Sequence, residues 1–248
     1  MSYSSEELMI CVIGRLLDDP NVNHVAVGAA SPIPGSAALL MRHITNGRLR
    51  ASIIHGVRNN PFTDGGREIF DCAGQGRIDA FFLSGAQIDG KANINLVATG
   101  NYPRVERRFP GSFGSAYMYF VVPKVILFAV EHTRRIFVPK VDFISAPGSS
   151  EPGVYRPGGP KALVTKLCLM SFNSERRRFR LESIHPGHTL EEVRDNTAFD
   201  FDIPDKVETT AEPNSEWLEL LNNRIGEQIA EIYPDFVKRV LSPGMLKT

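Results

Sequence analysis

The segment Ser52-Ile53-Ile54-His55-Gly56-Val57 puts a histidine at the end of an apolar run and directly before a glycine. A histidine so placed can act as a general base or a hydrogen-bond donor, and a lone histidine can equally be structural. In FPGSFGSAY (Phe109 to Tyr117), Gly111 and Gly114 enclose Ser112 and Phe113. The amide N–H groups of such a loop can converge on a developing oxyanion. In VGAASPIPG (Val27 to Gly35), Gly28 and Gly35 flank Ser31 and two prolines. That backbone can approach an acyl chain or a phosphate closely, with helix N-terminal amides expected beyond Gly35, and it serves equally as a tight strand-to-helix turn. The spacing fits neither a Walker nor a dinucleotide fingerprint. GAQIDGKANIN (Gly85 to Asn95) ends an apolar run in glycine and then spends Gln87, Asp89, Asn93 and Asn95 on a turn. His132 beside Arg134 and Arg135 reads as a strand-edge residue, and His185 and His188 as loop residues, all three solvated or locally satisfied. The run Arg176-Arg177-Arg178 reads as a hairpin flank that could also meet a phosphate.

The elements that must position these groups follow from periodicity. Ser4 and Glu7 form a capping box, and Leu8/Met9, Val12/Ile13 and Leu16/Leu17 recur at helical spacing, predicting an amphipathic helix over residues 5–18. His24 to Val27 is a strand running into Gly28, and Gly35 to Thr45 reads as a helix stopped at Asn46-Gly47. Ala51 to Ile54 and Ile78 to Ser84 repeat the strand-into-glycine pattern, and three strands ending alike point to a parallel sheet whose ligand loops follow Val27, Ile54 and Ser84. Tyr117 to Val122 is apolar up to Pro123, Val125 to Val130 is strand-like, and short runs at Ile136 and Val141 to Ile144 suggest a meander that makes the sheet mixed. Residues 146–160, rich in proline and glycine, read as an ordered surface loop or a mobile flap. A strand over Ala162 to Met170, a second capping box at Thr189 and Glu192, and a helix from Ser215 carrying Trp217, Leu218, Leu221 and Ile225 on one face complete the chain. No repeat and no long hydrophilic linker divides it, so a single domain over residues 1–248 with a helical C-terminal segment at about 213–241 is expected.

Composition narrows the function. The 248 residues balance 28 basic against 28 acidic side chains, which argues against nucleic acid or an anionic membrane as partner. No apolar run is long enough to span a bilayer and no signal segment is legible. Cys11, Cys72 and Cys168 fit no metal or redox spacing and read as reduced thiols of a cytoplasmic protein without a metal.

Three blocks then carry a family resemblance. GAQIDGKANIN, RPGGPKALVTKLC and HPGHTLEEVRDNTAFDFDIPD resemble, in order, sequence blocks of the glutaconate CoA-transferase β-subunit family within the type I coenzyme A transferase superfamily. The resemblance covers most of the chain. It implies a three-layer α/β/α CoA-transferase-like (NagB/RpiA-like) domain with a mostly parallel, partly mixed sheet. It also implies a homologous α partner, usually in an α2β2 heterotetramer with the active site shared between the two chains, and no cofactor beyond the coenzyme A of the substrate. Gly85, Gln87 and Asp89 would then shape a wall beside the acyl-CoA site. Ala92 and Ala198 stand where the family has glycine.

A third departure bears on chemistry. Family members that transfer coenzyme A carry a glutamate in a Glu-Ser-Gly or Glu-Asn-Gly context at the end of the strand equivalent to Ala51 to Ile54, and its carboxylate attacks the thioester. Here Ile54 and His55 occupy those places, and the next acids, Asp64 and Glu68, lie a loop away. The resemblance is closest to one branch that lacks this nucleophile, the actinobacterial hydrolases that open the last steroid ring in cholesterol catabolism. A member of that branch would act on a cyclic β-keto CoA thioester with the base glutamate on the α subunit, while this chain supplies walls and amides (Gly28, Ser31, Ile54, Gly56, Gly85, Gln87 and Gly111 to Gly114) and a supporting His55. The alternatives are a CoA-transferase subunit whose glutamate lies on the partner, and a non-catalytic scaffold subunit.

Overall fold

The structure, a computed structural model, describes residues 3–101 and 103–241. The chain divides into two compact units, Met1–Phe82 with Ala211–Thr248, and Leu83–Thr210.

The first unit opens with α1 (Ser5–Leu17), started by a full capping box: Ser4 Oγ accepts from Glu7 N at 3.1 Å, and Ser4 N donates to Glu7 Oε2 at 2.8 Å. Then follow β1 (His24–Val27), α2 (Pro32–Ile44), β2 (Arg50–Ile53), α3 (Gly65–Gly74) and β3 (Ala80–Leu83), at whose end the second unit begins. Helix α2 starts three residues before the expected Gly35. Pro32 supplies a φ already suited to the first helical position, and Gly35 N donates to Ser31 O at 2.9 Å inside the first turn. Strands β1, β2 and β3 are parallel and almost wholly buried, as a sheet covered on both faces requires.

The second unit contains β4 (Gln87–Ile88), β5 (Ile94–Asn95), β6 (Ala98–Asn101), β7 (Arg104–Arg108), α4 (Ser115–Val121), β8 (Lys124–Ala129), β9 (Pro160–Thr165), β10 (Cys168–Asn173), β11 (Arg178–Ile184), α5 (Leu190–Asn196) and β12 (Glu208–Thr209). Strands β4 and β5 form one antiparallel hairpin and β6 and β7 another. The main sheet has eight strands in the order β12-β11-β10-β9-β8-β3-β1-β2, with β9-β10-β11 antiparallel and the other assigned pairings parallel. The mostly parallel, partly mixed sheet with flanking helices matches the expected fold class.

Several elements differ from the sequence reading. Residues 117–122, legible only as an apolar run, lie in and just after helix α4, and the runs at Ile136 and Val141 to Ile144 form no strand; Phe137 and Ala146 are joined to the hairpin by single bridges at Ile88 and Ile94, and Val141 is buried in the loop between them. The sheet therefore turns mixed later, at β9-β10. The single strand expected over residues 162–170 is two strands, because Thr165 Oγ1 accepts from Leu167 N and Cys168 N, both at 3.2 Å, and closes a turn between them. The box at Thr189 is half-formed: Thr189 Oγ1 accepts from Glu192 N, but the Glu192 carboxylate meets His188 Nδ1 at 2.8 Å. The loop over residues 146–160 is pinned down. A Cβ on Gly148 would lie 2.2 Å from Lys91 O and one on Gly158 2.4 Å from Val122 O, so both must be glycine. Arg156 donates to Tyr119 O at 2.9 Å and lies over the Tyr119 and Phe120 rings.

After β12 the chain re-enters the first unit as α6 (Ser215–Leu220), a π-helical turn (Leu221–Ile225), α7 (Gly226–Ala230), α8 (Pro234–Phe236) and a second π-helical turn (Val237–Leu241). Trp217 packs against Gly14 of α1, where a Cβ would meet its ring at 3.0 Å. Among the described residues no helix is long and apolar enough to cross a membrane.

Candidate active site

In the first unit, the strand order β3-β1-β2 places β1 centrally, so the loops at its carboxyl end and that of β2 are where an open α/β sheet collects ligands. After β1, Gly28 lies beside Phe81, 3.5 Å from where a Cβ would stand. Ala30 takes φ +53 and Ser31 caps α2. The Ser31 side chain is buried and donates to Ala29 O at 3.1 Å, while its N–H donates to Tyr233 Oη at 3.2 Å. Ser31 is thus a turn-former whose backbone is tied to the C-terminal segment.

After β2, half-buried Ile54 donates its N–H to Val27 O at 3.0 Å, and the chain then turns through His55 at φ +73 with its side chain exposed. Histidine tolerates the left-handed region better than most residues but pays for it, and non-glycine residues held there cluster at functional sites. The loop is held from outside. Gly56 N donates to Ile53 O at 3.1 Å, a Cβ on Gly56 would meet Ile232 at 3.0 Å, and Glu231 Oε1 accepts from Val57 N and from Arg58 N. Glu231 escaped sequence reading because its partners lie about 170 positions away. Its one sequence signal is an acid within the apolar C-terminal helical region. The acids nearest in sequence are occupied elsewhere: Asp64 pairs with Arg67 at 2.9 Å, and Glu68 accepts from Thr63 N at 2.5 Å and Asp64 N at 3.1 Å. Those amides hold the Glu68 carboxyl below its ordinary range.

In the second unit, GAQIDGKANIN is the β4-β5 hairpin, and its polar side chains are consumed in building it. Gln87 is buried; its Oε1 accepts from Asn95 Nδ2 at 2.8 Å and Asp142 N at 3.0 Å, and its Nε2 donates to Asp142 Oδ2 at 3.1 Å. Asp89 accepts from Lys91 N, Asn93 N and Asn93 Nδ2 at 3.0–3.1 Å. Gly85 is needed because a Cβ would stand 2.7 Å from Ile94 and 2.9 Å from Gln87 O. The close approach Gly85 permits is therefore that of its own hairpin. Ala92 sits at φ +58, buried, with its carbonyl accepting from Tyr119 Oη at 2.9 Å.

Gly111 donates its N–H to Leu96 O at 3.3 Å, so that amide is already bonded within the protein. Gly114 takes φ +70 and caps α4, whose first-turn N–H groups have no intrahelical acceptor. Ser112 is exposed, its carbonyl accepting from Ser115 Oγ at 3.2 Å, and Phe113 is 82% exposed. An oxyanion contact from this loop would therefore use the amides from Ser112 onward.

Two histidines expected at an edge and in a loop are buried. Thr197 Oγ1 donates to Val193 O at 2.7 Å, so it accepts from His132 Nε2 at 2.9 Å, and His132 Nδ1 meets Thr165 Oγ1 at 2.8 Å. His185 Nε2 donates to Thr165 O at 2.8 Å, leaving Nδ1 to accept from Thr210 Oγ1 at 2.8 Å. Burial pushes His132 down to about 3 and His185 down to about 4, so both are neutral and structural. His24 in the first unit is likewise lowered by burial, between Arg77 O and Ser52 Oγ. Burial raises the Cys11 and Cys168 thiols to about 12, which leaves them inert.

Fold and loops define an α/β protein with glycine-rich loops at its strand ends, one of which turns through an exposed histidine at φ +73. The coenzyme A transferase family model matches residues 12–196, and the chain belongs to that family. It is 34% identical over 216 residues to the B-type subunit of 3-oxoadipate CoA-transferase from Pseudomonas knackmussii, covering 84% of this chain and 79% of that protein. It is 31% identical over 159 residues to the cholesterol ring-cleaving hydrolase IpdB subunit of Rhodococcus jostii, covering 62% of each. Among solved structures, glutaconate coenzyme A-transferase from Acidaminococcus fermentans matches with TM-score 0.78 at 22% identity, over 95% of this chain and 96% of that one. Rhodococcus jostii RHA1 IpdAB matches at 0.77 and 24%, over 90% and 94%. The decarboxylase AibA/AibB matches at 0.75 and 21%, over 97% and 99%. At these identities the structures establish a shared fold.

Proposed function

We propose that this chain is the B-type subunit of a hydrolase that opens the ring of a cyclic β-keto CoA thioester, acting with a homologous A-type partner in an α2β2 assembly. The observation that carries the reading is the end of β2. Ile54 and His55 stand where a transferase needs its glutamate, and Asp64, Glu68 and Glu231 are all committed to other partners. Without a carboxylate that can hold the acyl group as an anhydride, ping-pong transfer has no carrier on this chain. Ring opening needs none. Water, deprotonated by a base on the partner, adds to the ring ketone; the bond between that carbon and the α-carbon breaks; the electron pair becomes the thioester enolate, which is then protonated. His55, in the first unit, would orient water, and in the second unit the α4 loop offers amides of the kind that stabilise a developing negative charge. The similarity to IpdB subunits supports this reading.

A second reading, a CoA-transferase subunit with its glutamate on the partner, is favoured by the 34% identity to the 3-oxoadipate CoA-transferase chain. The co-expressed pair separates them. A hydrolase consumes one CoA ester and water and leaves a ring-opened acid still esterified to coenzyme A. Acceptor-dependent exchange of label between two CoA esters would replace the first reading by the second.

A further inference from the structure

A chain whose 28 basic residues are balanced by 28 acidic ones gathers Lys91, Lys140, Arg176, Arg177 and Arg178 around one cavity of about 500 Å³ in the second unit. Three segments far apart in sequence supply them: the turn of the β4-β5 hairpin, the loop after β8 and the turn between β10 and β11. Among the described residues, the acids lining the same space are Asp89 and Asp200. Asp89 is buried and already accepts from three N–H groups of its own turn. Just outside, Asp202 pairs with Arg176 Nη1 and Arg178 Nε, each at 2.7 Å. One carboxylate between two guanidiniums fixes both in place and neutralises only half of their charge. A guanidinium oriented in this way matches the geometry of phosphate oxygens.

The walls add a second feature. Ile144 is 48% exposed at the cavity, and the Phe199 ring is fixed by stacking on Phe179 at 5.6 Å and by an edge contact with Phe137 at 6.2 Å. Apolar surface beside surplus positive charge suits a ligand that carries phosphates together with a flat, weakly polar ring system.

We propose that this cavity holds the phosphorylated nucleotide end of the coenzyme A ester; the assignment to coenzyme A rests on the thioester reading above.

The test is calorimetric binding to the full chain of adenosine 3′,5′-bisphosphate, coenzyme A, pantetheine and inorganic pyrophosphate, at low and high salt. Bisphosphate and coenzyme A should bind, more weakly as salt rises. The double variant Lys91→Gln with Lys140→Gln should bind both at least about tenfold more weakly with unchanged thermal unfolding, and any binding of pantetheine should not change. Equal affinity of wild type and variant for the bisphosphate, or no binding by the wild type, overturns the site. Pyrophosphate binding as tightly as the nucleotide overturns the nucleotide assignment and leaves a free-phosphate site. If the bisphosphate binds and is lost in the variant while coenzyme A does not bind, the thioester reading falls and the nucleotide-phosphate site stands.

Discussion

Replacing His55 by glycine and, separately, by alanine divides the two things this residue does. His55 turns at φ +73 where β2 ends, and its side chain is exposed, so its removal opens no cavity in the core. A side chain held in the left-handed region costs about 1–2 kcal/mol relative to glycine, and glycine's freer unfolded chain returns about 0.4–1 kcal/mol of that. His55→Gly should therefore gain roughly 0.5–1 kcal/mol, an increase in Tm of about 2 °C for a protein of this size. His55→Ala removes the imidazole and keeps the strain, so its Tm should stay at the wild-type value. Turnover measured on the reconstituted pair supplies the other axis. If His55 orients water for a base on the partner, both variants should lose about tenfold in kcat, short of the 10²- to 10⁴-fold that general-base catalysis contributes. A glycine variant that melts below the alanine variant would refute the strain argument. A loss beyond about 10³-fold in both would make His55 itself the base, and full activity in both would remove it from the chemistry.

Gly114→Val forces a β-branched residue to φ +70 at the cap of α4, and should cut turnover by roughly 10²-fold with the circular dichroism spectrum unchanged; normal turnover in the folded variant would take this loop out of the mechanism. Glu231→Ala strips the acceptor from Val57 N and Arg58 N and should cost about 1–2 kcal/mol. Amide exchange at Val57 and Arg58 should accelerate, and unchanged protection there would show that the loop is held by other contacts. Acid should weaken the protein through His132 and His185. Their folded pKa values lie below 6.5, so the unfolded chain binds more protons and stability falls as pH drops from about 7 toward their folded values of about 3 and 4. Between pH 7 and pH 5 each should cost about 2 kcal/mol. Urea unfolding at the two pH values checks this, and His132→Gln should remove about half of the difference; equal stability at both would contradict the buried neutral state.

Local signals were legible where the residues that start an element also bury it. Ser4 and Glu7 close the capping box that opens α1, and the pattern of strands ending at Gly28, Ser52 to Gly56 and Gly85 marked the parallel half of the sheet. Signals failed where a long-range partner decides the conformation. The apolar runs at Ile136 and Val141 look like strands, but the β4-β5 hairpin meets this segment only in single bridges at Phe137 and Ala146, so it stays a loop that buries Phe137, Val141 and Ala146 and leaves Phe143 and Ile144 exposed. Strands β9 and β10 read as one because the turn between them is made by the Thr165 hydroxyl, which leaves no glycine or proline to mark it. His132 and His185 were indistinguishable from solvated residues in sequence, since their burial depends on threonines at 165, 197 and 210 brought together by the sheet. In GAQIDGKANIN the unusual density of amides marked a built turn correctly, and only the folded chain shows that Gln87 and Asn95 are spent on each other.

The end of β2 shows why a fold of this kind can exchange its chemistry without being rebuilt. What fixes that loop is Ile53 N donating to Asn59 O at 2.7 Å, Ile54 N donating to Val27 O, Gly56 lying under Ile232, and Glu231 accepting from Val57 N and Arg58 N. Asn59 is in turn held by Arg42, whose guanidinium also reaches Gln228. All of these contacts use backbone groups of the loop or side chains outside positions 54 and 55. None of these hydrogen bonds uses the side chain of Ile54 or His55, so their identity can follow the reaction. A carboxylate there would give a covalent acyl carrier, and a histidine in the left-handed turn gives a group that can orient water. The same logic predicts the behaviour of Ile54→Glu. The variant should fold, because position 54 is half-buried and the bond that ties it to Val27 O is made by its N–H. If the missing carboxylate is what separates this chain from a transferase, hydroxylamine should trap an acyl-enzyme at Glu in the variant when a CoA ester is added, and none in the wild type. A folded variant that binds the ester and forms no trappable adduct would mean that the substrate's thioester does not reach the end of β2.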